Sequence, residues 1–142
     1  MRIQTFVFNP FYENTYVLYD ETKEAVIIDP GCYEAYEKEE LVSFIAENEL
    51  KPVAIWNTHC HIDHVLGNAF CKRHFKIPLL VPEGEKDVFN AIPSYSSNYG
   101  FQQYEAAEID QWIEPTGTLQ FGASHLQILY APGHSPGHLM FF

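Results

Sequence analysis

The chain has 142 residues and a mass of 16.4 kDa, which is enough for one domain with a buried core. Its formal charge of −11, from 8 basic and 19 acidic residues, disfavours nucleic acid and anionic membrane surfaces as partners. The sequence contains neither a recognisable signal peptide nor an apolar run of the roughly 20 residues that span a membrane, and its 3 cysteines are irregularly spaced, so we expect a reduced cytoplasmic protein.

The predicted elements alternate between strands and helices in chain order. Apolar runs bounded by turn-forming residues predict strands at 3–8, 15–19, 25–28, 52–56, 77–81, 118–121 and 125–131. Helical spacing of apolar residues predicts helices at 34–49, from about 63 to 75, and at 85–91. Residues 93–103, rich in Ser, Tyr, Asn and Gln, are predicted to form a long surface loop of the kind that is often functional. The alternation indicates an α/β fold in one domain over residues 1–142.

Four side chains that commonly bind metals lie within six positions, directly after a predicted buried strand. In an extended segment alternate side chains point to the same side, so His59 and His61 can bind one ion while Cys60 points away. Asp63 and His64 follow at the start of the next helix and can face a second position nearby. Imidazoles beside a carboxylate favour Zn²⁺, with Fe²⁺ or Mn²⁺ as alternatives. The sequence therefore predicts a metal site.

A further candidate ligand, His134, lies in residues 132–137 (PGHSPG), where two Pro-Gly pairs predict sharp turns after a strand. Such strand ends are where α/β proteins commonly place their sites. The remaining histidines have ordinary structural explanations: His74 is near a helix C-terminus, and His125 is on the polar side of a strand. For His138 two interpretations stay open, a supporting role beside His134 or simple adjacency.

Three segments of the chain resemble motifs of the metallo-β-lactamase superfamily. Residues 58–64 (THCHIDH) resemble its T-H-x-H-x-D-H signature, residues 26–31 (VIIDPG) its early strand and turn, and residues 131–138 (APGHSPGH) the turn that carries its third histidine. The order and approximate separations also agree, and the resemblance covers essentially the whole chain. Within the superfamily the chain is most similar to small glyoxalase II-like (hydroxyacylglutathione hydrolase-like) enzymes.

The resemblance implies an αββα sandwich, with mixed sheets inside and helices on the outer faces. It assigns the first zinc ion to His59, His61 and His134, and the second to Asp63 and His64. It also implies that Asp29 orients the ligands through hydrogen bonds. A zinc-bound hydroxide, oriented by Asp63, would attack an ester or thioester, with a hydroxyacyl-glutathione as the favoured substrate class.

The chain departs from the family pattern beyond its last predicted strand. The family's bridging aspartate and its last histidine ligand have no counterpart within the 142 residues, so we expect the sequence to be the N-terminal portion of the domain. For a chain of this length we expect at most about one tightly held metal ion.

Two other functions are compatible with the same residues. A mononuclear iron persulfide dioxygenase shares the scaffold and would use His59 and His134; iron content and oxygen consumption with glutathione persulfide distinguish it. A non-catalytic metal-binding fragment is the other alternative. If the protein is a hydrolase, its binding partner is a small thioester or ester. The sequence does not give the oligomeric state.

Overall fold

The computed structural model describes residues 1–142, which form nine strands in two sheets and four α-helices. The larger sheet contains β1 (Arg2–Phe8), β2 (Glu13–Tyr19), β3 (Glu24–Ile28), β4 (Lys51–Trp56), β5 (Leu79–Pro82) and β6 (Gln111–Ile113). The smaller sheet contains β7 (Thr118–Phe121), β8 (Ser124–Tyr130) and β9 (Leu139–Phe141). The helices are α1 (Ala35–Glu47), α2 (Ile62–Val65), α3 (Asn68–Phe75) and α4 (Lys86–Ala91), with 3₁₀ helices at Glu83–Glu85, Ile92–Ser94 and Ser96–Tyr99.

The larger sheet follows the chain order, and its pairing changes at β3. The strands β1, β2 and β3 are antiparallel, whereas β3, β4, β5 and β6 are parallel to one another. The apolar run of β3 is buried from Ala25 to Ile28, as expected for a strand covered on both faces. Ile28 pairs with Trp56 at the carboxyl ends of β3 and β4, so the segments that follow these two strands leave the sheet side by side.

Two hydrophobic clusters cover the two faces of the larger sheet. The cluster on one face joins strand residues such as Ile27 and Ile55 to helix residues such as Leu41 and Val65. The cluster on the other face joins the larger sheet to the smaller one and contains no helical residue. The layers of this chain are therefore helices, six-stranded sheet and three-stranded sheet, which together form an α/β sandwich.

The predicted α/β class is confirmed. Most predicted elements begin and end within two residues of the observed bounds, and three differences are larger. The helix expected at about 63–75 is two helices, because the backbone N–H of Gly67 donates to the carbonyl oxygen of Pro30 at 2.7 Å. A Cβ on Gly67 would lie 2.5 Å from Sγ of Cys32, so only glycine permits this approach. The loop predicted at 93–103 contains two short 3₁₀ helices at its start, and β6 was not predicted. None of the helices combines the length and apolar character required to cross a membrane.

The inter-sheet core generates a prediction about the two tryptophans. Trp56 is 2% exposed and packs edge-on against Phe121 and Phe141, with ring centroids 6.1 and 5.8 Å away, whereas Trp112 is 41% exposed. We expect Trp56→Ala to lower the free energy of unfolding by about 3–5 kcal/mol and Trp112→Ala by about 1 kcal/mol or less, because only the first leaves a cavity. Urea denaturation of the metal-free chain measures both. Equal losses would show that the contact between the sheets does not stabilise the chain.

Candidate metal centre

The candidate site forms where the two sheets meet. Asp29 follows β3, and the segment carrying His59 and His61 follows β4. His134 comes from the turn between β8 and β9 of the other sheet. The backbone N–H of Leu139 donates to the carbonyl oxygen of Thr58 at 2.9 Å, which joins the two sheets beside the histidines.

The first group of candidate ligands consists of three histidines, His59, His61 and His134. One ring nitrogen from each lies within 4.8 Å of the others, and Nδ1 of His61 is 3.1 Å from Nε2 of His134. His59 is buried; its Nδ1 lies 2.9 Å from Oγ1 of Thr58, while its Nε2 has no hydrogen-bond partner. A buried ring nitrogen without a partner is costly in a protein interior, and two further imidazoles beside it fit a divalent cation such as Zn²⁺.

The second group shares His59 with the first. Ligand atoms of Asp29, His59 and His64 are within 4.8 Å of one another. Nδ1 of His64 is 3.1 Å from Oδ2 of Asp29, and Nε2 of His64 is 3.4 Å from Oδ2 of Asp63. All five ligands predicted from the sequence are thus brought to one place, with Asp63 and His61 half-buried at its open side and Asp29 buried beneath.

Asp29 is the hydrogen-bond centre of the site. Its Oδ1 accepts the backbone N–H of Thr58 at 2.7 Å, and its Oδ2 accepts the hydroxyl of Thr58 and faces Nδ1 of His64. The backbone of Asp29 has a φ of 50°, in the left-handed region that few non-glycine residues adopt. Asp is one of the residues that tolerate this conformation, which turns its carboxylate from the end of β3 toward the histidine segment.

Burial and mutual proximity keep several of the histidines neutral. Burial, followed by the neighbouring imidazoles, lowers the pKa of His59 to about 2. Burial also lowers the pKa of His61 and of His138. For His64 burial acts in the same direction, but the hydrogen bond and charge of Asp29 outweigh it and raise the pKa. Neutral imidazole is the form that binds metals, so His59 and His61 are already in that form at neutral pH.

The structure also places side chains at the site that the sequence analysis left open or missed. The ring of His138 lies 4.5 Å from the ring of His59, so His138 belongs to the same cluster of rings. Two buried carboxyl groups, Glu13 and Glu85, were not predicted. Glu13 begins β2 and Glu85 ends a 3₁₀ helix, and neither has a sequence motif around it because its partners come from distant segments.

Glu13 has the contacts of a neutral carboxyl group. Oγ1 of Thr15 lies 2.8 Å from Oε2 of Glu13 and 2.9 Å from the carbonyl oxygen of Asp29, and it accepts the backbone N–H of Gly31. One hydroxyl hydrogen cannot serve both acceptors, whereas a protonated Glu13 can donate to Thr15 while Thr15 donates to Asp29. Burial raises the pKa of Glu13 to about 10, and the charges of Asp29 and Asp63 contribute although the Thr15 hydrogen bond opposes the shift.

Comparison with known proteins gives the family. The model of the metallo-beta-lactamase superfamily matches residues 8–142, and the chain belongs to this superfamily. It is similar to hydroxyacylglutathione hydrolase GloC of Haemophilus influenzae, with 32% identity over 99% of this chain and 66% of that protein. It is also similar to the mitochondrial persulfide dioxygenase ETHE1 of Bos taurus, with 33% identity over 89% of this chain and 42% of that protein.

Solved structures give the same fold. The crystal structure of BLEG-1 B3 metallo-beta-lactamase matches 99% of this chain and 66% of that chain, with a TM-score of 0.85 and 29% identity. The resemblance inferred from the three motifs is therefore confirmed. The chain spans just under two thirds of the length of the Haemophilus influenzae relative, and less than half of the Bos taurus relative.

The neutral state of Glu13 generates a pH prediction for the metal-free chain. A carboxyl whose pKa rises on folding stabilises the fold below its unfolded pKa of 4.5 and loses that contribution as the pH rises toward about 10. The glutamine side chain of Glu13→Gln has the same shape as a neutral glutamic acid and cannot ionise. We therefore expect this variant to raise the free energy of unfolding by more than about 1 kcal/mol at pH 8, and by much less at pH 4.5.

Chemical denaturation with a chelator present, at both pH values, measures this difference. The matched control is Glu39→Gln on the exposed face of α1, which should change stability little at either pH. A Glu13→Gln variant that is less stable than the natural sequence at pH 8 would show that Glu13 is ionised in the folded chain.

Proposed function

We propose that this protein is a metal-dependent hydrolase that cleaves an ester or thioester, with a hydroxyacyl-glutathione-type thioester as its substrate. The observation that carries the proposal is the position of His61 and His134 beside the buried Nε2 of His59, which has no hydrogen-bond partner. Asp63 and His64 lie next to these three histidines. The similarity to a protein named hydroxyacylglutathione hydrolase GloC supports the substrate class.

In this proposal the metal is held by the residues that the sequence predicted. The tightly bound ion would be held by His59, His61 and His134, and Asp63 and His64 would form a second, weaker position. Zinc is the proposed metal, with Fe²⁺ and Mn²⁺ as alternatives, since this donor set suits all three. When bound, a divalent ion polarises the substrate carbonyl and lowers the pKa of water at the site.

The protein's own side chains supply orientation and proton handling. Thr58 holds Nδ1 of His59, and Asp29 holds Nδ1 of His64, so the other ring nitrogen of each imidazole remains free for a ligand. The half-buried Asp63 carboxylate is the proposed catalytic residue that orients the attacking hydroxide through a hydrogen bond, since it stands beside the histidines and is partly open to solvent.

An aromatic cleft beside the histidines is the proposed site for the acyl part of the substrate. Its volume is about 610 Å³, and its walls include Phe11, Tyr95 and Tyr99 next to His61 and Asp63. The rings of Tyr95 and Tyr99 are edge-to-face with centroids 5.6 Å apart, and Phe11 lies 6.2 Å from Tyr99. No Lys or Arg lines the cleft, so it suits an uncharged acyl group rather than a carboxylate.

The persulfide dioxygenase function is the second candidate, since a protein of that name is 33% identical to this chain. The two functions differ in metal and reaction: zinc and thioester cleavage against iron and oxygen consumption. A non-catalytic metal-binding role predicts metal binding with neither reaction.

The decisive experiment compares the natural sequence with His61→Ala, and uses His125→Ala as the matched control because His125 is exposed on β8. Each protein is loaded with zinc or with Fe²⁺, assayed for metal content, and tested on a hydroxyacyl-glutathione and on glutathione persulfide. We expect zinc-dependent thioester hydrolysis that falls at least about 100-fold in His61→Ala and is unchanged in His125→Ala. Oxygen consumption confined to the iron form would favour the dioxygenase, and unchanged hydrolysis in His61→Ala would refute the site.

The aromatic cleft generates a separate kinetic prediction. Tyr99 and Tyr36 are both exposed tyrosines, at 57% and 69%, but Tyr36 lies on α1 and does not line the cleft. Because Tyr99 contacts the substrate only through ring packing, we expect Tyr99→Ala to raise KM about 2- to 10-fold with kcat nearly unchanged, and Tyr36→Ala to change neither. Steady-state kinetics on an aromatic acyl thioester measures both. A KM unaffected by Tyr99→Ala would place the acyl group elsewhere.

A further inference from the structure

Glu85 is a fully buried carboxylate at the end of the 3₁₀ helix that follows β5. Three donors from two other segments surround it. Its Oε2 accepts the backbone N–H of Cys60 at 2.9 Å and the hydroxyl of Ser135 at 2.8 Å. Its Oε1 accepts the backbone N–H of Gly137 at 2.7 Å. Both oxygens are therefore satisfied although no Lys, Arg or His makes a salt bridge with this side chain.

The three donors lie between or beside the candidate metal ligands. Cys60 stands between His59 and His61, and Ser135 directly follows His134. One carboxylate thus joins the loop after β4 to the turn between β8 and β9, which carry ligands 73 positions apart in the chain.

Backbone packing under the carboxylate makes this junction tight. Gly84, which precedes Glu85, lies directly against Gly137: a Cβ on Gly137 would be 2.4 Å from the carbonyl carbon of Gly84, and one on Gly84 would be 2.8 Å from Cα of Gly137. The two backbones can approach this closely only because both residues are glycine. Glu85 is therefore held at a fixed distance from the turn that carries His134.

We infer that Glu85 is a positioning residue that sets the distance between His134 and the pair His59 and His61, and thereby the affinity of the site for its metal. The inference rests on the part of the proposed function that makes these histidines metal ligands. All three partners of Glu85 donate hydrogen bonds to it, and each of its two oxygens accepts at least one of them. A side chain at this position must therefore have two accepting atoms. In Glu85→Gln the amide NH₂ must face at least one donor, and one of the two ligand segments loses its anchor.

The test compares zinc affinity, by competition with a chromogenic chelator, in the natural sequence, Glu85→Gln and Glu83→Gln. Glu83 is exposed on the same 3₁₀ helix and provides the matched control. We expect a 10- to 100-fold loss of affinity, roughly that of other residues that orient metal ligands, in Glu85→Gln and no loss in Glu83→Gln. The Co²⁺-loaded protein should show a changed visible absorption band in Glu85→Gln alone, since the ligand geometry changes.

Two further measurements separate positioning from general destabilisation. Ile45→Val in the helix-side core lowers stability at α1, which carries no candidate ligand, and we expect it to leave zinc affinity and the Co²⁺ band unchanged. Amide hydrogen exchange on the zinc-free chain should show faster exchange at Cys60 or Gly137 in Glu85→Gln, with other core amides unaffected. If Glu85→Gln does not fold, Ser135→Ala removes a single donor and should still weaken zinc binding several-fold.

The outcomes distinguish the role of Glu85 from the proposed hydrolase function. Equal zinc affinity in Glu85→Gln and the natural sequence overturns the inference, as does a loss in Ile45→Val that matches its loss of stability. A natural sequence that binds zinc but cleaves no thioester refutes the proposed hydrolase function and leaves the role of Glu85 standing. A natural sequence that binds neither zinc, Co²⁺ nor Fe²⁺ overturns both.

Discussion

A buried carboxylate needs donors around it, and the Asp29 carboxylate finds its donors on the segment that carries the histidines. Its oxygens accept the N–H and hydroxyl of Thr58 and face His64, which fixes the start of the T-H-x-H-x-D-H segment against the end of β3. Without these bonds a buried carboxyl group would have no hydrogen-bond partners, which is strongly unfavourable. The parallel pairing of β3 with β4 brings the two segments together, so the sheet register is what gives Asp29 its partners.

Three buried carboxyl groups at the site compensate for their loss of hydration in different ways. Asp29 and Glu85 are surrounded by donors, so each can remain an acceptor on both oxygens. Glu13 has only the hydroxyl of Thr15 within hydrogen-bond distance; its other oxygen makes no hydrogen bond and lies 3.7 Å from Nδ1 of His64. Neutralisation is the remaining way to bury such a group, and this explains why its pKa rises. Glu13 therefore differs from Asp29 and Glu85 in the number of donors around it, and not in burial alone.

The predictability of this site depends on whether the partners are close in sequence. His59, His61, Asp63 and His64 were predicted because residues within six positions share one local geometry, and Asp29 because its segment resembles a family motif. Glu85 and Glu13 could not be predicted, since their partners come from other elements and no spacing along the chain reveals them. The break between α2 and α3 was missed for the same reason: Gly67 approaches Pro30, a contact that exists only in the folded chain. Apolar periodicity did predict most strands, because burial of alternate or consecutive side chains is a local pattern.

The position of the candidate site at the junction of the two sheets would couple the proposed metal binding to folding. Two of its three candidate histidine ligands follow a strand of the larger sheet and one follows a strand of the smaller sheet, and Trp56 and Phe141 pack between the sheets close by. In the unfolded chain His61 and His134 are 73 residues apart, so an ion gains all three ligands only when the sheets are packed together. An ion that binds only the folded form stabilises it by about 2.7 kcal/mol at a hundredfold excess over its Kd. The contacts of Glu85 and Thr58 hold His134 near His61 before any ion binds. They therefore reduce the conformational entropy that the chain loses when it binds the ion.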